Sequence, residues 1–147
     1  MEGITESFAA LQAWMPWAAA MPTVEEERAF LRHADEGFTE GRDFQFAMRH
    51  AATGRFLGGC GLHASRAPHP EIGYWVRTSE TGRGYATEAA RALTAAAFAH
   101  LPAVDRIEIR CGVGNHASAA VAAKLGYVLD RVEAGTMIWN KNRSNLV

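Results

Sequence analysis

A short glycine-rich segment, TGRGYA at residues 81–86, is the stretch of this sequence whose residue types most readily suggest chemistry. It follows the apolar run EIGYWV and precedes a series of strong helix formers, so it is expected to join a strand to a helix. The first amides of a helix have no partner within the helix, and the helix dipole adds partial positive charge there. Glycines let such amides turn toward an anion, and Arg83 adds a charged donor. The segment therefore predicts either an anion site or a plain tight turn.

The glycine spacing matches neither of the two common phosphate-binding fingerprints. The sequence contains no G-x-x-x-x-G-K-[S/T], and G-x-G-x-x-G fails because Thr87 stands where the third glycine is required. A nucleotide triphosphate site is disfavoured further, because no Ser or Thr follows a P-loop lysine to hold Mg²⁺.

Length, composition and charge limit the classes of protein to which the chain can belong. The 147 residues suit a single domain, residues 1–147, and a content of 48% hydrophobic and 21% charged residues is typical of a soluble globular protein. A net charge of −1 gives no reason to expect a nucleic-acid or membrane partner. The acidic start MEGITESF lacks the basic region of a secretory signal, and no long apolar run follows. We therefore expect a cytoplasmic protein.

The metal-ligating residue types are scattered along the chain. Cys60 and Cys111 lie far apart and form no C-x-x-C pair, so we expect reduced thiols and no metal. Cys111 alternates with Ile109 in an apolar pattern, which favours a small buried hydrophobe over a nucleophile. The histidines share no spacing that suggests a metal site; they are His33, His50, His63, His69, His100 and His116.

Hydrophobic periodicity predicts that helices and strands alternate in the order α-α-β-β-β-α-β-α-β(-β). An apolar stripe predicts a first helix, which Pro16 bends or ends, and Thr23 predicts the N-cap of a second helix that runs to about Glu40, with Gly41 as its stop. The predicted strands are DFQFAMRHA, RFLGGCGLHA (weakened by its glycines), EIGYWV and DRIEIRC, with a last hairpin from YVLDRVEA and TMIWN.

The two later helices complete the predicted fold. The third is alanine-rich, with a narrow packing face at Ala89, Leu93, Ala96 and Ala97. Asn115 caps the fourth helix, which Gly126 ends. The strand–helix–strand run around the third helix implies a parallel pair, and the short connections elsewhere imply antiparallel neighbours. The predicted class is α+β with a mixed, mostly antiparallel sheet and about four helices.

Three segments in this order resemble the GNAT superfamily of acetyl-CoA-dependent N-acetyltransferases, over roughly residues 10–132. The family signature [Q/R]-x-x-G-x-[G/A] matches at Gly84 and Ala86, although Thr81 stands at the position of the usual Gln or Arg. EIGYWVRTSETGRGYATEAARAL and the early WMPWA are similar to the RimJ/RimL-like branch of ribosomal-protein N-terminal acetyltransferases. That branch's N-x-x-S…L-G-[F/Y] pattern is present as Asn115, Ser118, Leu125, Gly126 and Tyr127. The resemblance implies a GNAT fold with a splayed parallel strand pair.

The resemblance also implies which residues hold the cosubstrate, acetyl-CoA. The pyrophosphate would rest on the loop amides of Gly82, Arg83, Gly84, Tyr85, Ala86 and Thr87. Amides around Trp75, Val76 and Arg77 would pair with the pantetheine arm and the acetyl carbonyl, where an amide stabilises an oxyanion. Asn115 would contact the pantetheine, and Ser118 would protonate or hydrogen-bond the departing thiolate. The residues alone leave two alternatives open, a plain N-cap at Asn115 and a serine bonded to its own turn at Ser118.

An amine substrate must lose a proton before it attacks, so a base is expected within reach. The candidates are Glu71 and Glu108, and the alternative for each is an ordinary surface ion pair, with Arg110 or Arg106 as the partner of Glu108. Some GNAT branches carry a tyrosine acid four residues after the serine, where this chain has Ala122.

Two tryptophans follow the first helix, which the resemblance implies lines the acceptor groove. Trp14 and Trp17 are therefore expected either to form a wall of the substrate site or to serve as core or hinge residues.

The expected reaction is direct transfer in a ternary complex to a protein N-terminal amine or a small amine. No Cys–His pair is evident, so no acetyl-enzyme is expected. The alternative is an inactive module that binds coenzyme A or serves only for interaction. Compared with the family, the chain lacks the first strand and the long final hairpin. We therefore expect either a homodimer over the unpaired sheet edge or rearranged ends, and a monomeric mass by light scattering would contradict the dimer.

Overall fold

Helices and strands follow one another along the chain as the sequence predicts. A computed structural model describes residues 1–145 and shows four α-helices and six strands in that range. The helices are α1 Glu2–Trp14, α2 Val24–Glu40, α3 Tyr85–His100 and α4 His116–Lys124. The strands are β1 Phe44–Arg49, β2 Phe56–His63, β3 Glu71–Val76, β4 Arg106–Gly112, β5 Val128–Glu133 and β6 Thr136–Asn142. No helix within residues 1–145 has both the length and the apolar character needed to cross a membrane.

The six strands form one mixed sheet in the order β1-β2-β3-β4-β6-β5. Strands β3 and β4 are parallel, and every other neighbouring pair is antiparallel. This arrangement confirms the predicted α+β class with a single parallel pair.

The sheet has two differently covered faces. The helix face packs against α3 and α4 and carries the main core, which includes Ile72, Ile107 and Ile109. Because side chains alternate along a strand, Glu71, Gly73 and Trp75 of β3 lie on the opposite face. There Trp75 packs against α1 in a second apolar cluster. We call this opposite face the cleft face.

The ends of α2 follow from local sequence signals. Thr23 Oγ1 accepts a hydrogen bond from Glu26 N at 3.1 Å, and Glu26 Oε2 accepts one from Thr23 N at 2.7 Å. This capping box fixes the start of the helix. Gly41 ends it with a φ of 71°, which favours glycine over residues with a side chain. Both predicted boundaries are confirmed.

The buried face of α3 differs from the predicted one. Its buried residues are Ala90, Thr94, Ala97 and Phe98, whereas the predicted Ala96 is exposed and Ala89 and Leu93 are half-buried. Thr94 Oγ1 donates to Ala90 O at 2.7 Å and lies 2.7 Å from Tyr127 Oη, so its polar group is satisfied in the core. The faces of an alanine-rich helix differ little in hydrophobicity. The predicted buried face is therefore displaced by about one residue from the observed one.

Helix α1 is anchored to the chain after β3 by a buried arginine. The Arg77 side chain is 4% exposed; its Nη2 donates to Glu2 Oε1 at 2.8 Å, and its Nε donates to Glu6 Oε2 at 2.8 Å. Glu6 Oε1 accepts from Ser79 N at 2.8 Å. These contacts join residues more than seventy positions apart and fix α1 beside the end of β3.

The anchor predicts a pH dependence of stability. Hydrogen bonds from Ser79 and Arg77 lower the pKa of Glu6 to about 2 from an ordinary 4.5. Because the folded-state pKa is depressed, this stabilisation is present above pH 4.5 and is lost as the pH falls toward 2. The melting temperature of the wild type should therefore fall more between about pH 6 and about pH 3 than that of Glu6→Gln. Glu36→Gln, on the exposed side of α2, should melt like the wild type at both pH values, and parallel curves for Glu6→Gln and the wild type would contradict the prediction.

Candidate functional site

The parallel strands β3 and β4 separate almost as soon as they meet. Their one register pair is Glu71 with Glu108, supported by a hydrogen bond from Glu108 N to Pro70 O at 2.9 Å. Beyond this point, β3 remains paired with β2 and β4 with β6. A V-shaped gap therefore opens in the middle of the sheet.

The amides of β3 alternate between its partner strand and this gap. Arg77 N donates to Leu57 O of the β2 side at 2.7 Å. In an antiparallel pair, alternate residues point their N–H and C=O groups toward the partner, so Trp75 also faces β2. The amides of Tyr74 and Val76 consequently face the gap. Of the three residues predicted to pair with the pantetheine, Val76 is the one whose amide points there.

The glycine loop lies beyond the open end of the gap, between β3 and α3. Gly82 and Gly84 have φ values of 78° and 82°, in the left-handed region, and no other atom comes within 4 Å of the position a Cβ would take at either residue. Gly84 is the N-cap of α3 and provides no side-chain cap. The first-turn amides of Tyr85, Ala86 and Thr87 therefore receive no hydrogen bond from an N-cap side chain. The space next to Gly84 is open. Arg83 is 62% exposed and lies 3.6 Å from Glu80, a loose contact.

A cleft of about 1960 Å³ runs through the gap and along the cleft face. The predicted site residues that line it are Trp14, Trp17, Glu71, Trp75, Arg77, Asn115 and Ser118. The predicted residues that do not line it are Val76, Glu108 and the loop residues Gly82, Arg83, Gly84, Tyr85, Ala86 and Thr87. The structure thus brings the strand, the start of α4 and the two tryptophans to one cavity.

A pair of hydroxyl groups lies on the helix-face side of the gap. Asn115 Oδ1 accepts from Ser118 N at 3.3 Å, so Asn115 caps α4 as predicted. Tyr74 Oη lies 3.0 Å from Ser118 Oγ and donates to Ser118 O at 3.1 Å. Burial, opposed by the hydrogen bond with Ser118, raises the pKa of Tyr74 to about 12, so its phenol stays protonated at neutral pH. Sequence reasoning missed Tyr74, because a tyrosine in an apolar strand gives no sign of a partner 44 residues away.

The two free cysteines are buried, as the apolar pattern around Cys111 predicts for that residue. Burial raises the pKa of the Cys111 thiol. Burial also raises the pKa of Cys60. A thiol with a raised pKa is a poor nucleophile at neutral pH. This confirms the interpretation of Cys111 as a small buried hydrophobe.

The two candidate carboxylates have different environments. Glu71 lines the cleft with its side chain 15% exposed, and its Oε2 accepts from Arg66 Nη1 at 3.0 Å. Glu108 is 1% exposed; its Oε1 accepts from Arg110 Nη2 at 3.1 Å, whereas its Oε2 has no hydrogen-bond partner among the described residues. The predicted ion pair with Arg110 is present. Its expected place at the surface is wrong for Glu108, because this side chain is buried.

The comparisons with known proteins identify the family. A family model described as an acetyltransferase (GNAT) domain matches residues 2–128. The curated "Putative ribosomal N-acetyltransferase YdaF" of Bacillus subtilis (strain 168) is 40% identical over 58 residues, which are 40% of this chain. The matched segment spans 31% of that relative's length.

Two solved structures share the fold over nearly the whole chain. A protein described as a "Probable acetyltransferase" has a TM-score of 0.88 at 21% identity and covers 99% of this chain and 86% of its own. The structure of RimL, described as a ribosomal L7/L12 alpha-N-protein acetyltransferase in complex with coenzyme A, has a TM-score of 0.83 at 21% identity. The match covers 96% of this chain and 85% of the RimL chain. With the family model matching most of the sequence, the chain belongs to the GNAT acetyltransferase family.

Proposed function

We propose that this protein transfers the acetyl group of acetyl-CoA to a primary amine by direct attack in a ternary complex. The observation that carries the proposal is the gap beyond the Glu71–Glu108 pair, toward which the amides of Tyr74 and Val76 are directed. An extended amide-bearing arm can pair with a free strand edge as another strand would. The pantetheine of coenzyme A is such an arm, so the gap fits it.

The residues around the gap fit the remaining parts of acetyl-CoA. The amides at the start of α3 and the glycine loop suit the pyrophosphate, because a helix N-terminus favours negative charge. The amide of Tyr74 or Val76 is directed to donate to the acetyl carbonyl, where it would stabilise the charge that develops on oxygen. Asn115, at the cap of α4, remains the proposed contact for the pantetheine.

The hydroxyl pair suits the departing thiolate. We expect Ser118 to hydrogen-bond the sulfur and Tyr74 to hold the Ser118 hydroxyl in place. Ser118→Ala should lower kcat by about 100-fold, at the lower end of the usual range for one acid–base group, and Tyr74→Phe, which removes only a positioning contact, by about tenfold. The KM for acetyl-CoA should change little in either variant. Steady-state thiol-release kinetics test this, and an unchanged kcat in both variants would contradict the assignment.

The cleft face suits the acceptor. Trp14 and Trp17 line it with side chains that are 45% and 46% exposed, and the Trp17 ring lies 6.2 Å from that of Trp75. Of the two carboxylates, Glu71 lines this space and is placed to attract an ammonium group, whereas Glu108 holds Arg110. RimL is described as a ribosomal L7/L12 alpha-N-protein acetyltransferase and YdaF as a putative ribosomal N-acetyltransferase. We therefore propose the N-terminal amine of a protein as the acceptor.

Two measurements test the function in sequence. Acetyl-CoA should raise the melting temperature, because a ligand that binds only the folded state stabilises it. Thiol release should then be detected with peptides that carry a free N-terminal amine and not with the same peptides after N-acetylation. Stabilisation without thiol release for any amine would favour a binding module over an enzyme, and no stabilisation would overturn the proposed cofactor site.

The homodimer remains a proposal. Strands β1 and β5 form the two edges of the sheet within residues 1–145. Edge strand β5 exposes Val128, Leu129 and Val132, which are 60%, 44% and 54% exposed. An exposed apolar edge favours pairing with a second chain.

A further inference from the structure

A histidine and an aspartate form a hydrogen-bonded pair on the cleft face, outside the residues assigned above. His63 ends β2 and Asp43 immediately precedes β1. His63 Nδ1 lies 2.8 Å from Asp43 Oδ1, and Gln45 Nε2 donates to the same oxygen at 3.1 Å. The side chains of His63 and Asp43 are 29% and 34% exposed, so the pair is partly shielded from solvent and still reachable.

The aspartate determines which ring nitrogen of His63 is free. A carboxylate can only accept a hydrogen bond, so Nδ1 must carry the proton that Asp43 accepts. In the neutral ring this leaves the lone pair on Nε2, which accepts no hydrogen bond from any residue in the range 1–145. Nε2 is thus a base without a partner, held in orientation by its neighbour.

The free nitrogen of His63 lies over the start of the gap. It is 3.7 Å from the position that a Cβ would occupy on Gly73, with no other atom within 4 Å of that position. Gly73 stands two residues beyond the Glu71–Glu108 pair, where β3 and β4 separate. Because glycine has no side chain, the space between Nε2 and the strand stays open. His63, Gly73 and Glu71 all line the cleft.

The histidine and the hydroxyl pair lie on opposite sides of the sheet. His63 and Glu71 are register partners and share the cleft face, whereas Tyr74 packs against the core on the helix face and contacts Ser118 there. The attacking amine and the departing thiolate need separate proton-transfer groups, because one loses a proton and the other gains one. His63 and Ser118 are therefore placed to serve them from different sides of the sheet.

The neighbouring carboxylate is less available as a base. Glu71 Oε2 already accepts from Arg66 Nη1 at 3.0 Å, and removing it from that ion pair would leave the arginine without its partner. The charged groups that contact His63 or share its cleft belong to three parts of the chain. Asp43 contacts His63 directly, Arg66 and Glu71 flank the turn into β3, and α2 contributes Glu26, Glu27 and Asp35 to the lining of the cleft.

We propose that His63, oriented by Asp43, is the general base that deprotonates the acceptor amine, an inference that rests on the proposed acetyl transfer. The acceptor ammonium gives one proton to Nε2, and the amine lone pair forms the N–C bond to the thioester carbon. The C–S bond then breaks, and the thiolate receives the second amine proton through the Ser118 hydroxyl. His63 returns its proton to solvent, so one proton is released for each acetyl group transferred. Glu71, paired with Arg66, attracts the ammonium.

The test compares two acceptors that differ in their need for a base. A peptide with a free N-terminal amine, whose pKa is about 8, is mostly protonated at about pH 7, whereas aniline is neutral there. His63→Gln retains a hydrogen-bonding side chain but cannot accept the proton. It should lower kcat/KM for the peptide about 100-fold at about pH 7, in the range typical of general-base catalysis, and change it less than about threefold for aniline. The loss of kcat/KM for the peptide should be smaller at about pH 9, because most of the N-terminal amine is deprotonated there without a base.

Controls separate catalysis from folding. His33→Ala removes a histidine whose side chain is 83% exposed and should behave as the wild type. Asp43→Asn keeps the shape of the pair but no longer fixes the Nδ1 proton, and it should lower peptide turnover in the same direction. Stabilisation by acetyl-CoA should be preserved in every variant, which shows that the cofactor site is folded.

The outcomes distinguish this inference from the proposed function. If the wild type is active and His63→Gln lowers kcat/KM equally for the peptide and for aniline, His63 only joins β1 to β2. This result would overturn the role of His63 as a base and leave the acetyl transfer in place. A wild type that releases no thiol with either acceptor would overturn both the proposed acetyl transfer and the role of His63 as a base.

Discussion

Replacing Gly84 with Asp should lower the affinity for acetyl-CoA by at least about 100-fold. A carboxylate at the N-cap of α3 would stand where we place the pyrophosphate. Two unit charges about 4 Å apart repel by about 4 kcal/mol at an effective dielectric constant of about 20, which corresponds to about a thousandfold in affinity before screening by salt. The open space around the Gly84 Cβ position leaves the loop room for the new side chain, so the effect should come from charge. Isothermal titration with acetyl-CoA measures it.

Gly84→Asn is the matched control. Asparagine has the size of aspartate and no charge, and it tolerates the positive φ of 82° better than most residues. Its affinity should therefore stay within several-fold of the wild type. Acetyl-pantetheine, which lacks the pyrophosphate, should not distinguish the two variants. If folded Gly84→Asp bound acetyl-CoA with unchanged affinity, the loop would not hold the phosphates.

Replacing Gly58 with Ala should destabilise the fold by about 3 kcal/mol, at the upper end of the usual cost of overpacking. The new Cβ would lie 2.0 Å from Trp75 O and 2.9 Å from Val76 Cα. Both are backbone atoms and cannot rotate away, so β2 and β3 would have to separate. Separation would weaken the Arg77–Leu57 hydrogen bond and displace Val76, whose amide faces the gap. Denaturant unfolding should show the loss in its midpoint.

Gly73→Ala is the corresponding control on the adjacent strand. Its Cβ would meet only His63 Nε2 at 3.7 Å, an ordinary van der Waals contact. The free energy of unfolding should change by less than about 1 kcal/mol, since alanine in a strand also restricts the unfolded chain. Equal unfolding midpoints for Gly58→Ala and Gly73→Ala would show that β2 can shift to make room and would contradict the prediction.

The sequence alone determined those features that depend on a few neighbouring residues. The capping box at Thr23, the left-handed stop at Gly41 and the cap of α4 at Asn115 follow from local hydrogen bonds and backbone preference. The order of the elements follows from hydrophobic periodicity, and β3 has the bounds of the quoted run EIGYWV. The GNAT resemblance likewise came from three short segments. These predictions are confirmed because each signal lies in a short stretch of neighbouring residues.

The tertiary structure decided the features that join distant parts of the chain. The glycines of β2 were interpreted as a weakness of the strand, yet Gly58 and Gly59 are required because β3 and the Trp75 side chain lie against them. The burial of Glu108 and the buried face of α3 depend on what packs against them in the folded chain.

The chemistry of the cleft shows the same limit. Ser118 meets Tyr74 across 44 residues, and His63 meets Asp43 across 20. Residue types and local spacing carry no information about such contacts, which arise only when the sheet brings its strands together. The sequence therefore identified the loop that we propose holds the cofactor, whereas the groups that we propose to move protons became visible only in the folded molecule.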